Sequence, residues 1–117
     1  MKRLVEAFWN SLAGLRFLAT HEKAFRQEIL LLIAALFVGL PLSEDWRGYA
    51  LLISVLLILM MVEALNTGIE KACDALSVEF DERIKVAKDC GSLAVLIAAI
   101  IAIWTWGLAA VDFWLAL

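Results

Sequence analysis

The sequence predicts an all-α membrane protein: three transmembrane helices preceded by an N-terminal amphipathic surface helix, within one membrane-embedded domain covering residues 1–117. Three observations carry this. Hydrophobic residues make up 64% of the chain and the mean hydropathy is +0.90, well above the roughly one-half apolar content of a soluble domain. Long apolar runs occupy residues 29–40, 49–62 and 92–111. Finally, nine of the ten basic residues fall before the first run or between the second and third, with Arg47 alone in the other loop. Excess lysine and arginine mark cytoplasmic loops, so the N-terminus and the second loop are expected inside and the C-terminus outside.

Taken in order, residues 2–20 form the surface helix. Leu4, Phe8, Leu12 and Leu15 recur at helical spacing, while Glu6, Asn10 and Ser11 lie off that face. Lys2 and Arg3 resemble the start of a signal peptide, but Glu6 and Arg16 interrupt any apolar core, and the segment is read as retained. The spans are expected at about 24–42, 47–74 and 84–112. Only the third run is long enough by itself; the first two reach spanning length by drawing flanking turns, and their acidic residues, into the membrane boundary. Gly39 and Pro41 mark the end of the first span, and Ser43-Glu44-Asp45 reads as the next helix start. Cys73 and Cys90 both belong to the cytoplasmic side and are read as packing residues rather than a disulfide.

The second span runs into Glu63-Ala-Leu-Asn66-Thr-Gly-Ile-Glu70-Lys-Ala-Cys-Asp74. Separations of 3, 7 and 11 place Glu63, Asn66, Glu70 and Asp74 on one narrow helix face. Carboxylates so close to hydrocarbon repel one another and need a cation or a proton. Beneath the third span, Lys88-Asp89-Cys90-Gly91-Ser92 sits at the same depth; its lysine can hold phosphate, and Gly91 permits close approach of another backbone or a ligand. Walker, Rossmann and protein-kinase motifs are absent. Hard oxygen ligands suit Mg²⁺ bridged to a polyphosphate better than zinc or copper.

These stretches, with Ala24-Phe25-Arg26-Gln27-Glu28 upstream, Ala87-Lys88-Asp89-Cys-Gly91-Ser92 downstream and Gly14-Leu15-Arg16 in the surface helix, resemble the small integral-membrane diacylglycerol kinases of bacteria. The resemblance implies a homotrimer in the inner membrane whose active sites are shared between neighbouring subunits. It also implies transfer of the ATP γ-phosphate to diacylglycerol, giving phosphatidic acid and ADP, with Mg²⁺ as cofactor and no nucleic-acid partner. Carried over by position, Glu63 is the catalytic carboxylate, and Glu22 and Glu70 hold the magnesium that accompanies ATP. Arg3, Asn10, Glu79, Asp81, Lys88 and Asp89 align with nucleotide-contacting positions; Glu28, Ser92 and Trp106 align with positions near the lipid. Asn66 and Lys88 support the reaction, the first by donating to a phosphoryl oxygen or orienting Glu63, the second by neutralising developing charge. Three positions depart from the enterobacterial pattern: Glu6 for a lysine, Asp81 for a histidine, and Gly68 for alanine or serine.

Two other readings stand beside this one. Relatives of the same architecture phosphorylate undecaprenol, and the carboxylates could instead form a polar seam in a non-enzymatic membrane subunit. Size argues for assembly, because three helices in one layer cannot surround a lipid, a metal and ATP together. If the site is shared, mixing chains carrying Glu63→Gln with chains carrying Glu70→Gln restores activity in some assemblies.

Overall fold

The computed structural model describes residues 1–76 and 78–117. Four helices follow in order: α1 (Lys2–His21), α2 (Lys23–Leu42), α3 (Trp46–Leu76) and α4 (Glu82–Ala116). Of these, α2, α3 and α4 are long and apolar enough to cross a membrane, and the chain is a multi-pass membrane protein. At 1.5 Å per residue the 31 residues of α3 extend about 46 Å and the 35 of α4 about 52 Å. Both exceed the ~30 Å of hydrocarbon, so their ends stand in the headgroup region or beyond it.

Short polar devices separate the helices. Glu22 takes an extended conformation between α1 and α2, where its N–H still reaches Leu18 O and the Arg26 guanidinium donates to Thr20 O at 2.8 Å. At the α2–α3 hairpin the division of labour differs from the expected one. Pro41 lies inside the last turn of α2, which runs on to Leu42. Ser43 closes that helix, its hydroxyl donating to Gly39 O at 2.7 Å, and Asp45 opens the next by accepting the Gly48 N–H at 2.8 Å. A serine hydroxyl can serve either end of a helix; the carboxylate two residues later is the stronger acceptor for exposed amides. Asp81 caps α4 in the same way, accepting the Arg83 N–H at 2.8 Å. The hydrogen bond from the Arg83 guanidinium, followed by that from its backbone N–H, holds the Asp81 carboxyl below the usual carboxylate range.

Packing is centred on α3, which lies against α4 on one side and α2 on the other. A ridge of small residues on α4, Gly91, Ala98 and Ala102, is buried at that contact and lets the backbones approach. Ala35, Val55, Leu56 and Ala102 form the centre, with Leu32, Ile53 and Trp106 packed around them. Two aromatic side chains fix the half of the bundle nearer the α2–α3 hairpin. Trp106 donates its indole N–H to Leu52 O at 2.9 Å, and Tyr49 donates to Leu36 O at 2.7 Å. Both rings press on Gly39, where a Cβ would come within 3.3 Å of Tyr49. Apolar side chains elsewhere, including Leu30, Phe37, Ile103 and Trp104, face outward.

Candidate active site

Toward its C-terminal end α3 turns from hydrocarbon to carboxylate. Counting about 20 residues from Trp46 brings the helix to the far membrane boundary near Leu65, two residues beyond Glu63. Glu63 and Glu70 are half-buried, Asn66 is buried at 8% exposure and Asp74 is exposed. The Asn66 side-chain amide donates to Glu70 Oε1 at 3.2 Å, tying two members of the face together. Thr67, also buried, is satisfied by donating to Glu63 O at 3.1 Å.

The bend at Glu22 brings a second pair of carboxylates to this face. Glu63 lies in the electrostatic field of Glu70 and of Glu22, and Glu28 lies in that of Glu63. Four acidic groups, from the α1–α2 junction, α2 and α3, are therefore linked in a chain of mutual repulsion at this end of α3. Glu28 Oε1 and Asn66 Oδ1 are buried there without a hydrogen-bond partner among the described residues. Such orphaned acceptors are costly in an apolar bundle and mark a place built for something other than stability.

Across the groove, α4 contributes a cation. Lys88 donates to Asp74 Oδ1 at 2.8 Å, joining the ends of α3 and α4. Asp89 turns away from that contact and pairs with Lys85 at 2.7 Å. A groove of about 580 Å³ opens beside them, lined by Asp74, Glu79, Phe80, Asp81, Lys88 and Asp89. Its volume lies in the range of small-molecule sites.

Other expected site residues stand apart. Trp106 meets Leu52, about 17 Å along α3 from Glu63. Ser92 is exposed one residue beyond Gly91. Asn10 and Arg3 are exposed on α1, about 18 Å and 28 Å along that helix from Glu22. Gly68 lies in open space, where a Cβ would meet nothing within 4 Å, so its departure from the family pattern leaves the geometry untouched. The pairing of Asp74 with Lys88 was missed in the sequence, although complementary charge at the facing ends of α3 and α4 was an available signal.

As a place for Mg²⁺, the donor set is chemically suited, being all oxygen. Among the described residues no three His, Cys, Asp or Glu side chains converge into a metal cage. Magnesium is ordinarily held by one or two carboxylates together with substrate phosphates, a lesser demand than a cage of protein ligands.

The profile of the prokaryotic diacylglycerol kinases matches residues 9–110. The chain belongs to this family. The diacylglycerol kinase of Escherichia coli strain K12 is 41% identical over 104 residues, covering 89% of this chain and 85% of the relative. Diacylglycerol kinases of Pseudomonas aeruginosa and Helicobacter pylori strain J99 are 38% and 36% identical over 106 residues, each covering 91% of this chain and 86% and 83% of the relative. The family match takes in every residue placed in or near the site except Arg3.

Proposed function

We propose that this chain is an ATP-dependent diacylglycerol kinase acting at the inner face of the cytoplasmic membrane. The observation that carries the proposal is the α3 face, where Glu63, Asn66 and Glu70 descend from the hydrocarbon boundary toward water with Lys88 opposite. A lipid hydroxyl and a water-soluble triphosphate can meet only at such a boundary. Glu63, the deepest, takes the proton of the acceptor hydroxyl as its oxygen bonds to the γ-phosphorus. The bond between that phosphorus and the β–γ bridging oxygen breaks, leaving ADP with the electron pair. Glu70 and Glu22, about 10 Å nearer the solvent in the case of Glu70, hold the cation that accompanies ATP. Mg²⁺, when bound, neutralises phosphate charge. Lys88 exchanges Asp74 for a phosphoryl oxygen, and Asn66 keeps Glu70 in place.

Purified protein in mixed micelles with radiolabelled ATP, offered diacylglycerol and undecaprenol in parallel, tests this reading. Label in phosphatidic acid alone is the expected result. Label in the polyprenol alone moves the chain to that acceptor, and label in neither, with the fold intact, removes the enzyme reading.

Assembly as a homotrimer with shared sites belongs to the same proposal, as does an α1 lying on the membrane surface. Leu4, Phe8, Leu12 and Leu15 are all exposed, an apolar face with no partner in its own chain. Because Glu63 and Glu70 occupy one face of the same helix, the informative mixture is not between those two. Chains carrying Glu63→Gln should instead be mixed with chains carrying Arg3→Ala and Asn10→Ala. Random trimers then place an intact α1 beside an intact α3 at roughly one site in four, and about that share of activity should return at limiting ATP. Absence of rescue would confine each site to a single chain.

A further inference from the structure

The helices α3 and α4 cross where Asn66 meets Gly91. Ionised Glu70 can only accept, so the amide nitrogen of Asn66 is the end that faces it, at 3.2 Å. The amide oxygen is thereby turned toward α4, where it is buried and has no hydrogen-bond partner among the described residues. A Cβ built on Gly91 would collide with that oxygen and come within 3.1 Å of Asn66 Cγ, and its three nearest atoms all belong to Asn66. At other buried levels of the ridge, α4 presents Ala98 and Ala102, so a methyl group fits between these helices where no asparagine stands. Gly14, Gly68 and Gly107 face open space, and Gly39 is crowded by rings alone. The missing side chain at position 91 is thus matched to one polar group. A bare Cα also offers the amide oxygen a weak C–H contact in place of a true donor.

We propose that Gly91 is a positioning residue for the carboxylate face: its hydrogen side chain makes the space for the Asn66 carbonyl, which turns the amide N–H toward Glu70. A larger residue expels the carbonyl, rotates the amide and releases Glu70. The consequence for turnover rests on the kinase reading above; the geometry does not. By the scale on which supporting groups around a metal carboxylate act, Gly91→Ala should lower phosphatidic acid formation about 10–100-fold.

The deciding experiment needs no substrate. Asn10 and Asn66 are the two asparagines of the chain, so selective ¹⁵N-asparagine labelling of the purified protein in micelles gives two side-chain amide signals, assigned by Asn66→Ala. Gly91→Ala should move the Asn66 signal in the same direction as Glu70→Ala, which deletes the acceptor, and leave Asn10 in place. An Asn66 signal unmoved by Gly91→Ala overturns the proposal. Thermal unfolding supplies the second arm. Gly91→Ala should lower the melting temperature in the wild-type chain and leave it unchanged or raised in the Asn66→Ala chain, where the collision is gone and alanine is the better helix former. Equal losses in both backgrounds would make Gly91 a packing residue and overturn the proposal. Should Gly91→Ala alone fail to fold, the double variant decides: folding supports the role and failure overturns it. Wild-type protein that labels no lipid would sink the kinase reading while leaving the amide signals to settle Gly91.

Discussion

Glu63→Gln is expected to reduce phosphatidic acid formation about 10³-fold while leaving the protein at least as stable as before. Glutamine keeps the volume of the side chain but cannot take up a proton, and a positioned general base contributes on the order of 10²–10⁴ in rate. The backbone contact at this position survives, because Thr67 donates to the carbonyl of Glu63 and not to its carboxylate. Stability should move the other way. Glu63 stands in the fields of Glu22 and Glu70, and Glu28 in the field of Glu63, so removing its charge relieves repulsion within a half-buried acidic group. Initial rates in mixed micelles and thermal unfolding of the same preparations check both halves. A rate within tenfold of wild type would remove Glu63 from the chemistry. A rate loss with a falling melting temperature would assign it to the architecture instead.

Much of this arrangement could be read before any coordinates, and what could not be read has an identifiable cause. Composition and run length sufficed for three spanning helices, since a backbone in lipid has few alternatives to the helix. Spacing alone placed Glu63, Asn66 and Glu70 on one face because helical periodicity holds without tertiary information. The contacts between elements were another matter. The approach of Glu22 and Glu28 to that face depends on the extended conformation at Glu22, which no cap motif announces. Pairing of Lys88 with Asp74 joins residues 14 apart through a turn whose geometry the charge pattern does not fix. Gly91 was expected to admit a backbone or a ligand, whereas the structure fills its space with the Asn66 side chain. Trp106, aligned with lipid-proximal positions, is fastened to Leu52 in the half of the bundle nearer the α2–α3 hairpin. Its distance from Glu63 makes contact with an acyl chain, rather than with the reacting hydroxyl, the role open to it in the proposed reaction.

The second large effect is expected at Glu70, where Glu70→Gln separates charge from geometry. A glutamine carbonyl still accepts the Asn66 amide that now reaches Glu70 Oε1 at 3.2 Å, so the α3 face keeps its shape. What disappears is one of the two carboxylates offered to the divalent cation. For a hard ion held by so few protein oxygens, losing an anionic ligand is severe, and removal even of supporting groups costs about 10–100-fold in affinity. The Mg²⁺ concentration giving half-maximal activity should therefore rise by at least tenfold at fixed ATP, with the diacylglycerol dependence nearly unchanged. Saturating Mg²⁺ should recover much of the rate, which distinguishes this variant from Glu63→Gln, where no concentration of metal can restore a missing base. An unchanged Mg²⁺ requirement would place the cation elsewhere in the groove. In the proposed reaction the deeper carboxylate serves the lipid hydroxyl and the shallower one the nucleotide, so the two variants should fail on different axes. That divergence is the signature of a single helix face working on both sides of the membrane boundary.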